Sequence, residues 1–149
     1  MKFKNPKNSN YAAVIVEIKH LVDLENCDNV QAAIILGNQV IVSKETELGD
    51  IGIYFPLECQ LSHEFVSNNN LYRNSDLNVD KEKKGYFEEN RRVRAVKFRG
   101  HKSEGIFMPL SSLEFVVGQQ YTDLIYQIGE EFDEVNEIPI CNKYIVKTS

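Results

Sequence analysis

A small, mainly β domain is the fold class that the sequence predicts, and three observations lead to it. The chain has 149 residues, 42% of them apolar, with seven Tyr and eight Phe, which is enough for one modest hydrophobic core. Short runs rich in β-branched residues recur along the chain, separated by Gly, Asn and Asp turn signals. The strand–helix–strand alternation that builds parallel sheets is not seen.

The first predicted strand follows a polar segment, residues 1–10, which we expect to be a flexible N-terminus. The run YAAVIVEIKHLVDL places Val14, Val16 and Ile18 on one face and polar residues on the other. This alternation is typical of a half-buried strand.

Two further runs, VQAAIILG and NQVIVSKE, predict a hairpin. They meet at Gly37 and Asn38, residue types that tolerate the positive φ that a tight turn requires. The next strand, IGIYF, ends at Pro56, which cannot donate a ladder hydrogen bond. Together these runs predict a three-stranded meander.

The middle of the chain, residues 67–90, is polar and rich in asparagine, and it has no convincing period. We expect a short helix at residues 62–66 and then a long mobile loop, which in a compact domain is either functional or disordered.

Regular structure is predicted again in RRVRAVKFRG, a strand, followed by HKSEG as a turn and GIFMPL as the antiparallel partner. A second short helix is expected near residues 122–128. Five or so short strands with one or two short helices favour a small five-stranded OB-like barrel over residues 11–141. Residues 142–149 end without a cap, as expected for the start of a linker to a further domain.

Positive charge is concentrated in residues 91–102, hereafter the basic segment. The chain has 17 Lys and Arg against 22 Asp and Glu; this segment holds six of the cations and no acid, which leaves eleven cations elsewhere. Cations on a strand and its turn can follow a phosphate backbone. An equally plausible interpretation is a solvated sheet face paired with acids. The candidate phosphate-binding residues are Arg91, Arg92, Arg94, Lys97, Arg99 and Lys102.

Aromatic residues near the basic segment are candidates for stacking on bases, although aromatics at strand spacing more often belong to a core. The two best placed are Tyr86 and Phe98, with Phe87 and Phe107 as further possibilities. Tyr86 and Phe98 complete the predicted nucleic-acid-binding set.

The sequence offers no catalytic or metal site that we can assign. The three histidines lie in different elements without ligand spacing, and no P-loop, GxGxxG or G-x-S-x-G motif occurs. The three cysteines lack a CxxC pair and suit buried thiols in a reducing compartment. Because a signal peptide and a bilayer-length apolar run are both missing from the sequence, we expect a cytoplasmic protein without membrane partners.

The ordered set GDIGIYFPLECQLS, NNNLYRN and GYFEENRRVRAVKFRGHKSEGIFMPL resembles the N-terminal OB-like domain of bacterial and phage ATP-dependent RNA ligases. The sharpest part is residues 92–110. The resemblance extends over residues 11–144, where a Lys-Tyr pair, Lys143 and Tyr144, would lead into the adenylyltransferase domain.

The resemblance implies an enzyme that adenylates a lysine with ATP and a divalent metal and then seals a 5′-phosphate to a 3′-hydroxyl. The nucleophile of that family lies in a Lys-x-Asp-Gly motif, which this sequence lacks: Lys143 precedes Tyr-Ile-Val and Lys147 precedes Thr-Ser. The chain is therefore expected to be inactive alone. Its expected role is to hold RNA or a nicked duplex beside a C-terminal adenylyltransferase domain. The alternatives are a protein-interaction module and a free-standing tRNA-binding OB domain.

Overall fold

The computed structural model of this chain describes residues 3–119 and 125–146. Within these ranges the protein is mainly β, with two short α-helices, α1 (His63–Asn68) and α2 (Glu114–Val117). The strands are β1 (Phe3–Lys4), β2 (Ala13–Glu17), β3 (Leu21–Asp23), β4 (Val30–Ile35), β5 (Asn38–Ser43), β6 (Ile51–Phe55), β7 (Cys59–Leu61), β8 (Val96–Phe98), β9 (His101–Ser103), β10 (Ile106–Pro109), β11 (Glu131–Phe132), β12 (Glu134–Val135), β13 (Ile138–Pro139) and β14 (Cys141–Lys143).

Antiparallel pairing organises these strands into several small sheets. One four-stranded sheet has the order β10-β6-β2-β11, and two three-stranded sheets have the orders β3-β4-β5 and β1-β12-β13. Two-stranded sheets are formed by β14 with β7 and by β8 with β9. The main core lies between the four-stranded sheet and α1, where Ile15, Phe55 and Phe65 are fully buried.

The predicted five-stranded barrel needs correction, since the described residues hold more than five strands and no sheet there is closed. The expected first strand divides into β2 and β3 after Ile18, where the ladder with β6 ends. The Ile18 N–H still donates to the Asp50 carbonyl at 2.7 Å, but its carbonyl accepts from the Gly49 N–H at 2.8 Å because the Asp50 N–H bonds Glu47. Between β5 and β9, the Ile41 N–H donates to the Ser103 hydroxyl at 3.0 Å, where a closed ladder would use a carbonyl.

The first predicted hairpin exists, but its turn lies one residue earlier than expected. Leu36 and Gly37 are the two turn residues with positive φ, 50° and 81°. Asn38 instead begins β5 and pairs with Ile35. Two successive positive φ angles define a type I′ turn, whose twist matches that of the flanking strands.

The hairpin predicted for the basic segment has a different partner strand. A two-residue turn at Arg99 and Gly100, with φ of 49° and 85°, returns β8 directly onto β9, so HKS is a strand rather than a turn. Strand β10 pairs with β6 instead, where Phe107 lies opposite Tyr54. The β8–β9 unit is therefore a short separate ribbon, called the basic hairpin below.

The polar segment 67–90 has little regular structure, but buried side chains fix its interior. Tyr72 and Phe87 are almost fully buried and form an isolated parallel bridge. Asn78, 1% exposed, accepts from the Tyr72 N–H and donates to the carbonyls of Tyr72 and Lys83. An asparagine used in this way replaces a missing backbone ladder.

The first predicted helix is confirmed as α1, whose N-cap Ser62 accepts from the Phe65 N–H. Of the second, expected near residues 122–128, residues 122–124 lie outside the described residues, and 125–128 are not helical. At the two ends, β1 pairs with β12 and β14 pairs with β7. No helix among the described residues is long and apolar enough to cross a membrane.

Candidate nucleic-acid interface

The first two cations of the basic segment point into internal contacts. The Arg91 Nε donates to the Leu61 carbonyl at 2.9 Å, and its Nη1 donates to the Glu89 carbonyl at 3.2 Å. Arg91 also has a positive φ of 55°, which turns the chain so that its carbonyl accepts from the Leu61 N–H. Arg91 therefore joins the segment to β7.

Arg92 is held by an acid and an aromatic ring. Its Nε and Nη2 both lie 2.7 Å from one carboxylate oxygen of Glu58. The guanidinium also lies over the Tyr144 ring, 4.7 Å from the centroid. These contacts use guanidinium donors of Arg91 and Arg92 that a phosphate would otherwise accept from.

The basic hairpin presents two lysines side by side. Lys97 on β8 lies directly opposite Lys102 on β9, so both side chains leave the same face. Both residues are exposed. Lys102 pairs with Glu104 at 3.1 Å, whereas Lys97 has no ion pair or hydrogen bond within the described ranges.

Two arginines flank this pair. Arg94 is exposed and, within residues 3–119 and 125–146, has no hydrogen-bonding or charged partner. Arg99, at the turn, donates from Nη1 to the Asn26 carbonyl at 2.9 Å and lies 5.6 Å from the centre of the Phe98 ring. Four of the six predicted cations are thus exposed and lie on the basic hairpin or immediately before it.

The two predicted stacking residues are both exposed, Tyr86 by 52% and Phe98 by 42%. They lie in different surroundings. Tyr86 packs against Phe87, with ring centres 5.0 Å apart, whereas Phe98 lies on the hairpin beneath Arg99. Only Phe98 accompanies the exposed cations, on the face opposite Lys97. Phe87 is buried, and Phe107 packs against the smaller core cluster.

The hairpin is anchored at its foot by residues that the sequence did not single out. The Gln39 Nε2 donates to the Lys102 carbonyl at 2.9 Å, and the Gln39 carbonyl accepts from the Glu104 N–H at 2.8 Å. Ser103, 6% exposed, bonds β5 through its hydroxyl. The sequence places Ser103 in the predicted HKSEG turn. No sequence pattern indicates the role of Gln39, because that role depends on a contact 63 residues away.

Tyr54 fixes the same foot from the core side. Its hydroxyl donates to the Glu104 carbonyl at 2.8 Å. Burial, and then the nearby charge of Glu104, raise the pKa of Tyr54 from 10.0 to about 12. Gly105, with a φ of 112°, lies against the Tyr54 ring, where a Cβ would be 2.5 Å from ring atoms.

The tip is also held to a neighbouring loop. The His101 Nε2 lies 3.0 Å from the Glu25 carbonyl and therefore acts as the donor, next to the bond from Arg99 to Asn26. The hairpin is thus fixed at both ends while its lysine-bearing face stays exposed. Such a surface can attract anions without first becoming ordered.

The described residues contain no group of three His, Cys, Asp or Glu side chains that could hold a metal ion. Cys27, Cys59 and Cys141 are all buried free thiols. A hydrogen bond with Cys141 and burial raise the pKa of Cys59, which keeps its thiol protonated.

A comparison with protein families identifies the fold. The model of the PHA02142 OB-fold domain family matches residues 12–110, about two thirds of the chain. This chain belongs to that family. The OB fold is thereby shown even though its sheets are not closed into a barrel within the described residues. A comparison with curated proteins gives no match.

Solved structures of an RNA ligase share the fold. The chain is similar to Naegleria gruberi RNA ligase with PPi, with a TM-score of 0.61 and 20% identity, over 95% of this chain and 37% of that one. A mutant of that ligase with ATP and Mn gives a TM-score of 0.60 and 15% identity, over 95% and 38%. An apo mutant gives 0.61 and 19%, over 95% and 37%. This chain therefore spans less than two fifths of each ligase, and the predicted likeness to an OB-like domain of RNA ligases is confirmed.

Proposed function

We propose that this chain is a nucleic-acid-binding OB-fold domain that contacts phosphates through the basic hairpin. The observation that supports it most is that four cations lie exposed on or beside one anchored ribbon, while the rest of the chain is acidic. A local positive potential on an acidic body selects anions at one place on the surface. The four residues are Arg94, Lys97, Arg99 and Lys102.

We further propose that the domain serves an ATP-dependent RNA ligase. It would position broken or nicked RNA so that a 5′-phosphate and a 3′-hydroxyl can be sealed. The likeness to Naegleria gruberi RNA ligase supports this assignment. Adenylation with ATP and a divalent metal would belong to a separate C-terminal adenylyltransferase domain. The buried free thiols suit the reducing cytoplasm, where we place the protein.

Salt dependence of RNA binding tests the proposal. If all four cations reach phosphates, the plot of log affinity against log salt should have a slope of about −3 for single-stranded RNA and nearer −4 for a duplex. Fluorescence anisotropy with a labelled RNA and a matching nicked duplex, between low and physiological salt, gives this slope. A slope near zero would contradict phosphate binding by the hairpin.

A protein partner is the second candidate, because three apolar side chains are exposed around the β3–β4–β5 sheet. Val22, Ile34 and Leu36 are 52%, 36% and 67% exposed. Replacing Arg94 and Lys97 by glutamate separates the two functions. Under the first, this change lowers RNA affinity while the domain stays folded. Under the second, it leaves RNA binding unchanged, whereas Leu36→Asp on the apolar surface lowers association with the adenylyltransferase domain.

A further inference from the structure

We infer that Lys97 and Lys102 together bind the terminal phosphate of a nucleic-acid strand, rather than only its internal phosphates. This inference rests on the proposed nucleic-acid binding and adds the chemical group that the lysine pair recognises. It assigns a ligand group to one pair of side chains, whereas the proposed function requires only a diffuse cationic surface.

The positions of the two lysines on the basic hairpin bring their side chains close together. Phe98 and His101 flank the two-residue turn, and Lys97 and Lys102 are the next pair along the ribbon. In a two-residue hairpin the pair beside the turn is hydrogen-bonded, so the next pair is non-hydrogen-bonded and its side chains lie closer together. The Cβ atoms of such a pair are about 5 Å apart, so the flexible side chains can bring both ammonium groups to one phosphate.

Repulsion between the two lysines affects the stability of the basic hairpin. Like charges placed directly opposite each other destabilise a strand pair. The fold does not relieve this repulsion at Lys97, which has no charged partner within the described ranges. The Lys97 ammonium group is therefore free to take an anion, and Lys102 lies directly opposite it.

The charge of the ligand decides whether it can satisfy both lysines. Glu104 already pairs with Lys102 at 3.1 Å, and the Gln39 and Tyr54 bonds hold its backbone in place. An internal phosphodiester, with one negative charge, would only exchange with this carboxylate at Lys102. A terminal phosphate carries between one and a half and two negative charges at neutral pH and can satisfy both lysines at once. The Glu104 carboxylate thus sets a charge threshold that favours the terminal group.

The experiment compares short single-stranded RNAs of one sequence with different ends. One carries a 5′-phosphate, one a 3′-phosphate, one hydroxyls at both ends, and one a 5′-methylphosphate, which keeps the size of the phosphate but loses one charge. We expect about fivefold tighter binding of the terminally phosphorylated RNAs at low salt, the effect of one added charge near a surface cation. The methylphosphate RNA should bind like the hydroxyl RNA.

Variants locate the preference. Lys97→Ala and Lys102→Ala should each remove most of it. Lys4→Ala, which removes an exposed and similarly ion-paired lysine from β1, should leave it unchanged. The ³¹P resonance of the terminal phosphate should shift on binding to the natural chain and not to Lys97→Ala, which reports the contact independently of affinity.

Two outcomes would overturn the inference. Equal affinity for all four RNAs would reject terminal-phosphate recognition, yet the proposed function would stand if binding and its salt slope remained. If inorganic phosphate bound the lysine pair as tightly as the 5′-phosphorylated RNA does, the RNA strand would contribute nothing and the pair would be a free-phosphate site. If the unmodified chain bound none of the four RNAs, the proposed function itself would be rejected.

Discussion

The two halves of the basic segment have the same kind of sequence but opposite environments. Arg91 bonds β7, and Arg92 bonds Glu58. Val93, the next residue toward the hairpin, is fully buried. Lys97 and Lys102 lie on a ribbon whose strand β8 is exposed throughout. Charge density in a sequence therefore does not measure the charge available to a ligand. Partners contributed by distant residues decide which cations remain free.

The largest effect that we expect separates the fixed foot of the basic hairpin from its tip. Gly105→Ala should lower the free energy of unfolding by about 2–4 kcal/mol, because the new Cβ would overlap the Tyr54 ring at a backbone angle that favours glycine. Gly100→Ala, at the open tip, should lower it by only about 1 kcal/mol. Urea unfolding of both variants measures the difference, and equal losses would mean that the foot is not packed as described.

A smaller effect compares one cation from each half. Arg92→Met should lower the free energy of unfolding by about 1 kcal/mol, since it leaves Glu58 unpaired in a partly buried position. RNA affinity should stay within about twofold. Lys97→Met should leave stability within about 0.5 kcal/mol and lower RNA affinity about fivefold. If Arg92→Met instead lowered RNA affinity and Lys97→Met lowered stability, the roles of the two halves would be reversed.

A third effect appears only in alkaline solution. Below pH 10 the Tyr54 hydroxyl is protonated in both the folded and unfolded states. Above pH 10 the unfolded chain loses a proton that the folded protein keeps up to about pH 12, so the free energy of unfolding falls across this window. Tyr54→Phe should flatten this part of the profile. Parallel decreases in both proteins between pH 10 and pH 12 would show that other groups are responsible.

Much of the fold could be predicted from local patterns. The short helix expected at residues 62–66 corresponds to α1, and the β-branched runs identified β2, β4, β5 and β6. Strand closure could not be predicted, because it depends on whether a carbonyl or a side chain such as Ser103 meets the next strand. The predicted partner of β10 was also wrong. The sequence did not indicate that Arg99 and Gly100, through their positive φ angles, form a two-residue turn between β8 and β9.

The candidate site shows the same division. Its position in the chain followed from charge alone, and Lys97 and Arg94 are exposed as a phosphate contact requires. The sequence could not show that Arg92 faces Glu58, 34 residues away, or that Lys102 faces Glu104. Sequence predicts where cations are concentrated, and tertiary contacts decide which of them are paired.

The central claim is that the hairpin half of the basic segment, and not its first half, contacts phosphates. Salt titration of two double variants tests it most directly. Lys97→Ala with Lys102→Ala should reduce the salt slope for single-stranded RNA by about 1.4, and Arg91→Gln with Arg92→Gln should leave it unchanged. Circular dichroism at the titration temperature confirms that both remain folded. An unchanged slope in the lysine variant, or an equal reduction in the arginine variant, would contradict the account.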